Sequence, residues 1–432
     1  MSALNRLKHI FQHPSFRSVG MYTFSNFFSK AVSFLLLFIF TNPAYITPSE
    51  NGLLSLFSNT MLFLMPFLSM GIVHSVSADY FKLDKPSFRD LFTTGMVMPL
   101  AVMIVSVIGL FLFRNQLQAT YGFPPMFTWL IPLVTFLIFF NEQLMSMARN
   151  NQEPETYMKA NMGKTILELG LSYVMVVYFA WRWQGRVAGI LAAYVVLGFY
   201  ALYYFKKKGY LFGKVRKTYI YSELLYAIPI MALQVSIFTM NASDKFFLSH
   251  FTNDQNATVG IYSIACVFAS IINVLAMALI QYLFPKIYKM LSTGEAGSDR
   301  LKKQFYLYIG VLTAGLAGLL VAMPLVYRFF VNEKYHPALE YSYLLCIGIY
   351  IWCISYFFYS FLLYYKEKKK LLGLSLSAIA VSLVCNYFFI REWQATGAAM
   401  ASCVLYSIVF LLTLWFTRHH WKPMFGLGND KG

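Results

Sequence analysis

Acidic side chains are scarce in this chain. Asp and Glu number 18 against 35 Lys and Arg in 432 residues, and charged residues of both signs reach only 12%. A soluble domain carries about a quarter charged residues, so this composition excludes a water-soluble enzyme and a disordered chain alike. Cysteine is sparse too. Cys266, Cys346, Cys353, Cys385 and Cys403 include no C-x-x-C pair, which excludes a disulfide scaffold and a zinc site. Cys346 and Cys353 share a helix face but stand about 10 Å apart along the axis, beyond disulfide reach. The seven histidines form no H-E-x-x-H, and no G-x-x-x-x-G-K-[ST] occurs, so no metal, cofactor or built-in ATPase is expected. No basic patch is interleaved with aromatics, so nucleic acid is not an expected partner.

What the chain does have is apolar length. Hydrophobic residues make up 58% and aromatics 19%, with a mean hydropathy of +0.57. Long apolar runs bounded by charge or turn residues predict twelve membrane spans, at 18–40, 53–78, 91–113, 128–147, 158–180, 187–205, 220–244, 259–284, 304–330, 338–364, 371–390 and 396–416. The predicted fold class is an all-α polytopic membrane protein. The segment 1–17 is short, polar and basic and runs into the first span, so a cleavable signal is not expected.

The positive charges then orient the spans. With the N-terminus in the cytoplasm, 26 Lys and Arg fall in cytoplasmic segments, seven in outer loops, and two, Lys30 and Lys164, inside spans. Both termini are therefore expected in the cytoplasm. The clusters Lys206–Lys208 and Lys366–Lys370 read as topology determinants and headgroup contacts.

The halves repeat at a fixed offset. Gly52-Leu53-Leu54-Ser55-Leu56 and Gly260-Ile261-Tyr262-Ser263-Ile264 lie 208 residues apart, as do Ala188-Gly189-Ile190 and Thr396-Gly397-Ala398. Six spans per repeat is an even number, so the repeats are parallel, with a solute path expected as a central lumen between them. The expected organisation is a six-helix bundle over 1–205, a basic linker over 206–217, a second bundle over 218–416, and a tail over 417–432. This is the organisation of a transporter.

Particular residues resemble a known group. Pro229, the run Asn241-Ala242-Ser243-Asp244-Lys245 and the run Val259-Gly260-Ile261-Tyr262-Ser263 resemble the seventh and eighth helices of Wzx-type O-antigen and polysaccharide flippases. Asn51-Gly52-Leu53-Leu54-Ser55 resembles the matching first-half motif, and Gly397-Ala398-Ala399 the opening of the last helix. Ala44–Ser49 departs from that pattern, lacking the usual Leu-Gly. The family belongs to the multidrug/oligosaccharidyl-lipid/polysaccharide exporter superfamily. The resemblance implies a monomer in the bacterial inner membrane that moves an undecaprenyl-diphosphate-linked oligosaccharide outward by alternating access, beside other polysaccharide-assembly proteins. A proton or sodium gradient is the implied driving force. A cation-coupled multidrug or lipid exporter of the same fold is the alternative. A membrane polymerase or ligase fits less well, because the outer loops are short and hold no Asp/Glu/His cluster.

A lipid diphosphate calls for a cation, and sugar hydroxyls call for hydrogen-bonding side chains. Lys30 lies roughly 18 Å into its span, too deep for easy snorkelling. It shares a face with Thr23, Asn26 and Ser33. Lys164 lies near the cytoplasmic end of its span, one turn from Glu168, which suggests an i,i+4 ion pair. Glu142 and Glu168 could carry a coupling proton. Gln234, Asn241 and the pair Asp244 and Lys245 form a second polar stripe, and Asn273 with Gln281 a third; Asp244 and Lys245 read equally as a pair at the outer surface. Asn386 reads as interhelical glue. The prolines at 66, 99, 132, 229, 285 and 324 fall within or at the ends of spans, where each permits a kink. Replacing Lys30 by Ala is expected to abolish polysaccharide export at normal membrane levels, with Lys30→Arg retaining more activity than Lys30→Gln. Full export by Lys30→Ala would exclude an anion-binding role.

Overall fold

The computed structural model describes residues 14–293 and 298–426. Every regular element among them is helical. In chain order the long helices are α1 Pro14–Phe40, α2 Pro48–Ser69, α3 Ile72–Asp79, α4 Lys85–Leu112, α5 Arg114–Tyr121, α6 Phe127–Asn150, α7 Pro154–Tyr173 and α8 Arg182–Lys208. They continue as α9 Lys217–Phe251, α10 Ala257–Ser292, α11 Asp299–Phe330, α12 Ala338–Tyr364, α13 Lys368–Phe416 and the short α14 Arg418–Trp421. Eight of the described helices are long and apolar enough to cross a membrane. The chain is thus a multi-pass, all-helical membrane protein.

Each predicted span falls on helix, but two are interrupted. The second breaks at Met70 and Gly71, whose φ angles of 47° and 65° are left-handed. A Cβ on Gly71 would meet the Ile230 side chain at 3.0 Å, so glycine serves both the angle and the approach. The fifth span ends in a π-helical turn at Val174–Tyr178. The predicted loop between the last two spans is reduced to a reversal at Gln394 (φ 47°, ψ −123°) inside the 49 residues of α13. That reversal works because Gly397 has no side chain: a Cβ there would stand 1.9 Å from the Phe389 carbonyl. Gly189, its counterpart at the repeat offset, answers the same demand: a Cβ there would stand 2.6 Å from Ser172 N. Lipid offers no hydrophobic drive to pair helices, so close backbone contact through small residues supplies attraction by packing. At the start of α2, Thr47 and Glu50 form a reciprocal capping box, following Ala44–Ser49 where the resemblance is weakest.

Contacts divide the chain into two units. Unit 1 is Met1–Glu50 with Leu56–Gln234; unit 2 is Asn51–Ser55 with Val235–Gly432. The division falls inside α9. In unit 1 an aromatic core forms where Phe92 meets Phe205 and Tyr210, and Phe88 meets Tyr210. In unit 2 Phe305 packs against Phe357, Phe358 and Phe425 of the chain's last described turn.

The basic linker is strapped down on unit 1. Gly209 caps α8 in the left-handed region (φ 73°) and turns the chain back. The first turns of α4 then receive it: Gly213 N donates to Thr93 Oγ1 (2.9 Å), Lys214 N to Asp90 Oδ1 (2.8 Å) and Arg216 N to Thr94 Oγ1 (3.2 Å). The Arg216 Nε–H donates to the other Asp90 oxygen at 2.7 Å. One carboxylate thus holds a backbone amide and a guanidinium, both charge-assisted bonds. Asp90→Ala should free this segment. Limited trypsinolysis at Lys214, Arg216 and Lys217 is expected to accelerate several-fold in the variant, and unchanged cleavage would show that the strap is immaterial.

Candidate functional site

In unit 1 the predicted stripe on α1 faces the polar side of α7. Asn26 Oδ1 accepts from Asn161 Nδ2 at 2.9 Å and from the Tyr157 hydroxyl at 3.2 Å. Ser25 and Ser29 flank this contact, with Asn161 Nδ2 donating to Ser25 Oγ at 3.4 Å and Ser29 Oγ to the Asn161 carbonyl at 3.4 Å. Tyr157, Asn161 and Thr165 recur at i, i+4 and i+8, one face of α7. That spacing was the sequence signal for Asn161 and Tyr157, which the search for charged residues passed over. One turn beyond Asn26, Lys30 is exposed, and no carboxylate among the described residues lies within ion-pair distance of it. The side chains of Thr23 and Pro229 lie outside the described residues.

The two carboxylates of unit 1 differ. Glu168 does not pair with Lys164. Its Oε1 accepts from Arg186 Nη2 of α8 at 2.8 Å, while Arg186 Nη1 donates to Ser172 Oγ at 2.8 Å and the guanidinium lies over Phe40. Arg186 was counted among outer-loop charges. The helix start at Arg182 instead places it a turn inside α8, where its planar fork reaches α7. Glu142, on α6, has no hydrogen-bond or ion-pair partner among the described residues. It is accessible to solvent although protein surrounds it, with Lys164 and Arg149 as its nearest opposing charges. Tyr194 of α8 lies buried within electrostatic reach of Glu142, Glu168 and Arg186. Gln234 is partly buried, and its Oε1 has no partner.

In unit 2 Asp244 and Lys245 are buried at 7% and 9% exposure, not displayed at a surface. Asp244 Oδ2 accepts from the Tyr262 hydroxyl at 2.7 Å and Oδ1 from the Lys245 backbone N–H at 2.9 Å. The carboxylate's hydrogen bonds thus come from α10 and from the adjoining backbone, with the Lys245 charge close by. Asn241 Nδ2 bonds back to the Ile237 carbonyl at 2.7 Å. Asn273 Oδ1 accepts from the Tyr356 hydroxyl of α12 at 2.9 Å, and Gln281 is exposed. Asn386 is glue as expected: its Nδ2 donates to Ser243 Oγ at 3.0 Å, joining α13 to α9.

Comparison with known proteins places this arrangement. The sequence profile of the family described as polysaccharide biosynthesis protein matches residues 15–291. No curated protein matches the chain. Among solved structures, an inward-facing multidrug resistance MATE family transporter of the MOP superfamily superposes with a TM-score of 0.71 at 15% identity, covering 90% of this chain and 95% of that one. The lipid II flippase MurJ in its inward closed conformation superposes with a TM-score of 0.71 at 13% identity, covering 94% and 90%. The outward-facing MATE transporter follows at 0.57 with 15% identity, covering 95% and 97%. The fold is therefore that of the exporter superfamily.

The ion pair inside unit 1 is open to a direct test. Glu168→Ala and Arg186→Ala are each expected to lower the unfolding midpoint, and the double variant to lose less than the sum, with a coupling of ~1–2 kcal/mol. Lys164→Ala should show no coupling to Glu168→Ala. The reverse pattern would return Glu168 to Lys164.

Proposed function

The chain belongs to the polysaccharide biosynthesis protein family, and from that membership we propose that it is a flippase. It moves an undecaprenyl-diphosphate-linked oligosaccharide for O-antigen or surface polysaccharide from the cytoplasmic to the periplasmic leaflet of a bacterial inner membrane. Both termini lie in the cytoplasm in this reading. The observation that carries it is Lys30. A charged side chain deep in an apolar helix is unfavourable unless a counter-ion or water meets it. Lys30 is exposed with no carboxylate partner among the described residues, so it is available to an anion. A diphosphate offers several charged oxygens to such a donor, in bonds about twice as strong as neutral ones.

The neighbouring groups suit the same cargo. Asn26 and Asn161 hold each other by one hydrogen bond, donated by Asn161 Nδ2 to Asn26 Oδ1, and keep donor and acceptor capacity for hydroxyls. Glu142 is the carboxylate we assign to gradient coupling, because it is accessible and unpaired, whereas Glu168 is committed to Arg186. A cationic drug would instead meet Lys30 as a repelling charge.

Proteoliposomes test the assignment. A fluorescent polyprenyl-diphosphate disaccharide in the inner leaflet should become accessible to an external quencher when the wild-type protein is present. Fluorescent phosphatidylglycerol should not, and Lys30→Ala liposomes should match empty ones. Movement of a cationic dye in place of the glycolipid would establish the multidrug exporter reading.

A further inference from the structure

Unit 2 holds a second polar feature at mid-helix depth, and it is uncharged. Trp352 of α12 stacks on Tyr406 of α13, with ring centroids 5.1 Å apart and planes within 8°. The rings of Trp352 and Tyr356, one turn on, meet edge to face at 5.3 Å and 63°. The Tyr356 hydroxyl donates to Asn273 Oδ1, and Tyr406 is anchored in turn by a 3.4 Å bond to the Met240 carbonyl. Tyr406 is buried, but Trp352, Tyr356 and Asn273 are only partly so.

The hydrogen-bond account of these groups is incomplete in one direction. Asn273 uses its acceptor on Tyr356, while its Nδ2 donors and the Trp352 indole N–H have no acceptor among the described residues. Neither nitrogen is enclosed among the buried unpartnered atoms. Bare donors at this depth would be unfavourable by several kcal/mol against lipid, so they face a wet space. The adjoining face of α10 exposes Ser270 and Gln281 beside Val274 and Met277.

We infer that Trp352, Tyr356 and Asn273 form a carbohydrate-binding platform for the sugar part of the lipid-linked cargo. An aromatic face is electronegative and attracts the C–H bonds that line one face of a pyranose ring. The amide and indole donors at its rim suit hydroxyl or N-acetyl oxygens. None of these groups carries charge, so the platform reads the sugar and not the diphosphate. The inference rests on the flippase reading for its cargo, and the experiment separates the two.

Full-length protein in nanodiscs is titrated with undecaprenyl diphosphate, and with the same lipid bearing N-acetylglucosamine or galactose. Wild type should bind at least one sugar-bearing form more tightly than the bare lipid. Trp352→Ala should cut that increment by roughly tenfold, and Asn273→Ala should reduce it. Both should leave the bare lipid unaffected, with Trp352→Phe retaining most of the increment. An increment absent from wild type for both sugars, or unchanged in Trp352→Ala, overturns the platform. If wild type binds no lipid at all, the flippase reading fails. Free lactose then decides the platform alone: a saturable fluorescence change that Trp352→Phe abolishes supports it, and no change overturns it.

Discussion

A polar side chain inside a hydrocarbon layer has two favourable fates. It finds a partner within the protein, or it faces water. This constraint sorts the intramembrane polar residues of the chain more sharply than their chemistry does. Asn386, Ser243, Ser382 and Thr239 bond one another across α9 and α13 and have little capacity left over. Asp244 is closed off by Tyr262, and Glu168 by Arg186. Lys30 and Glu142 are accessible and uncommitted among the described residues, and Asn273 is committed at one end only. Function is assigned to what the fold leaves unsatisfied.

The same constraint governs the backbone. Each interruption of a helix releases carbonyls and N–H groups that must be met again nearby. Phe179 N returns to the Val174 carbonyl after the π-turn, and Met70 N returns to Pro66 O before the left-handed step. The linker shows the aqueous version of the same rule. Its irregular backbone is received by the side chains of Asp90, Thr93 and Thr94, each of which replaces a bond that a helix would have made. The segment is an extended cap on α4, and the change from unit 1 to unit 2 falls within a continuous helix.

Much of the fold was legible in the sequence because burial in lipid writes long apolar runs, and those runs coincide with helices throughout the described residues. The repeat offset was legible because Gly189 and Gly397 answer the same steric demand, close contact with the backbone of the preceding segment. The breaks at Met70 and Gln394 were not. Neither residue has a side chain that announces positive φ, and the conformation follows from tertiary contacts that a linear pattern does not carry. The site was legible in part. Lys30 and Asn26 stand out as polar residues in an apolar run, but Asn161 and Tyr157 lie in a helix polar enough to hide them. Arg186 was misread because proximity to a span boundary looks the same as a place in a loop. Trp352 was invisible, since a chain with 19% aromatics gives no single tryptophan prominence.

The two kinds of uncommitted group also differ in what they can distinguish. An ammonium such as Lys30 binds a diphosphate by charge, and that interaction is nearly indifferent to the sugar attached beyond it. Discrimination between sugars needs directional donors and a shaped face, because a missing hydroxyl is felt where it leaves a donor unpaired. In the proposed reading Lys30 meets the charge, and Asn273 with Trp352 supplies neutral donors and an aromatic face. Lys164 differs from Lys30 in being half-buried and within electrostatic reach of Glu142. Lys30 is exposed within its helix with no carboxylate at ion-pair distance among the described residues. In the proposed reading the diphosphate is common to every substrate, so any preference among oligosaccharides comes from uncharged side chains.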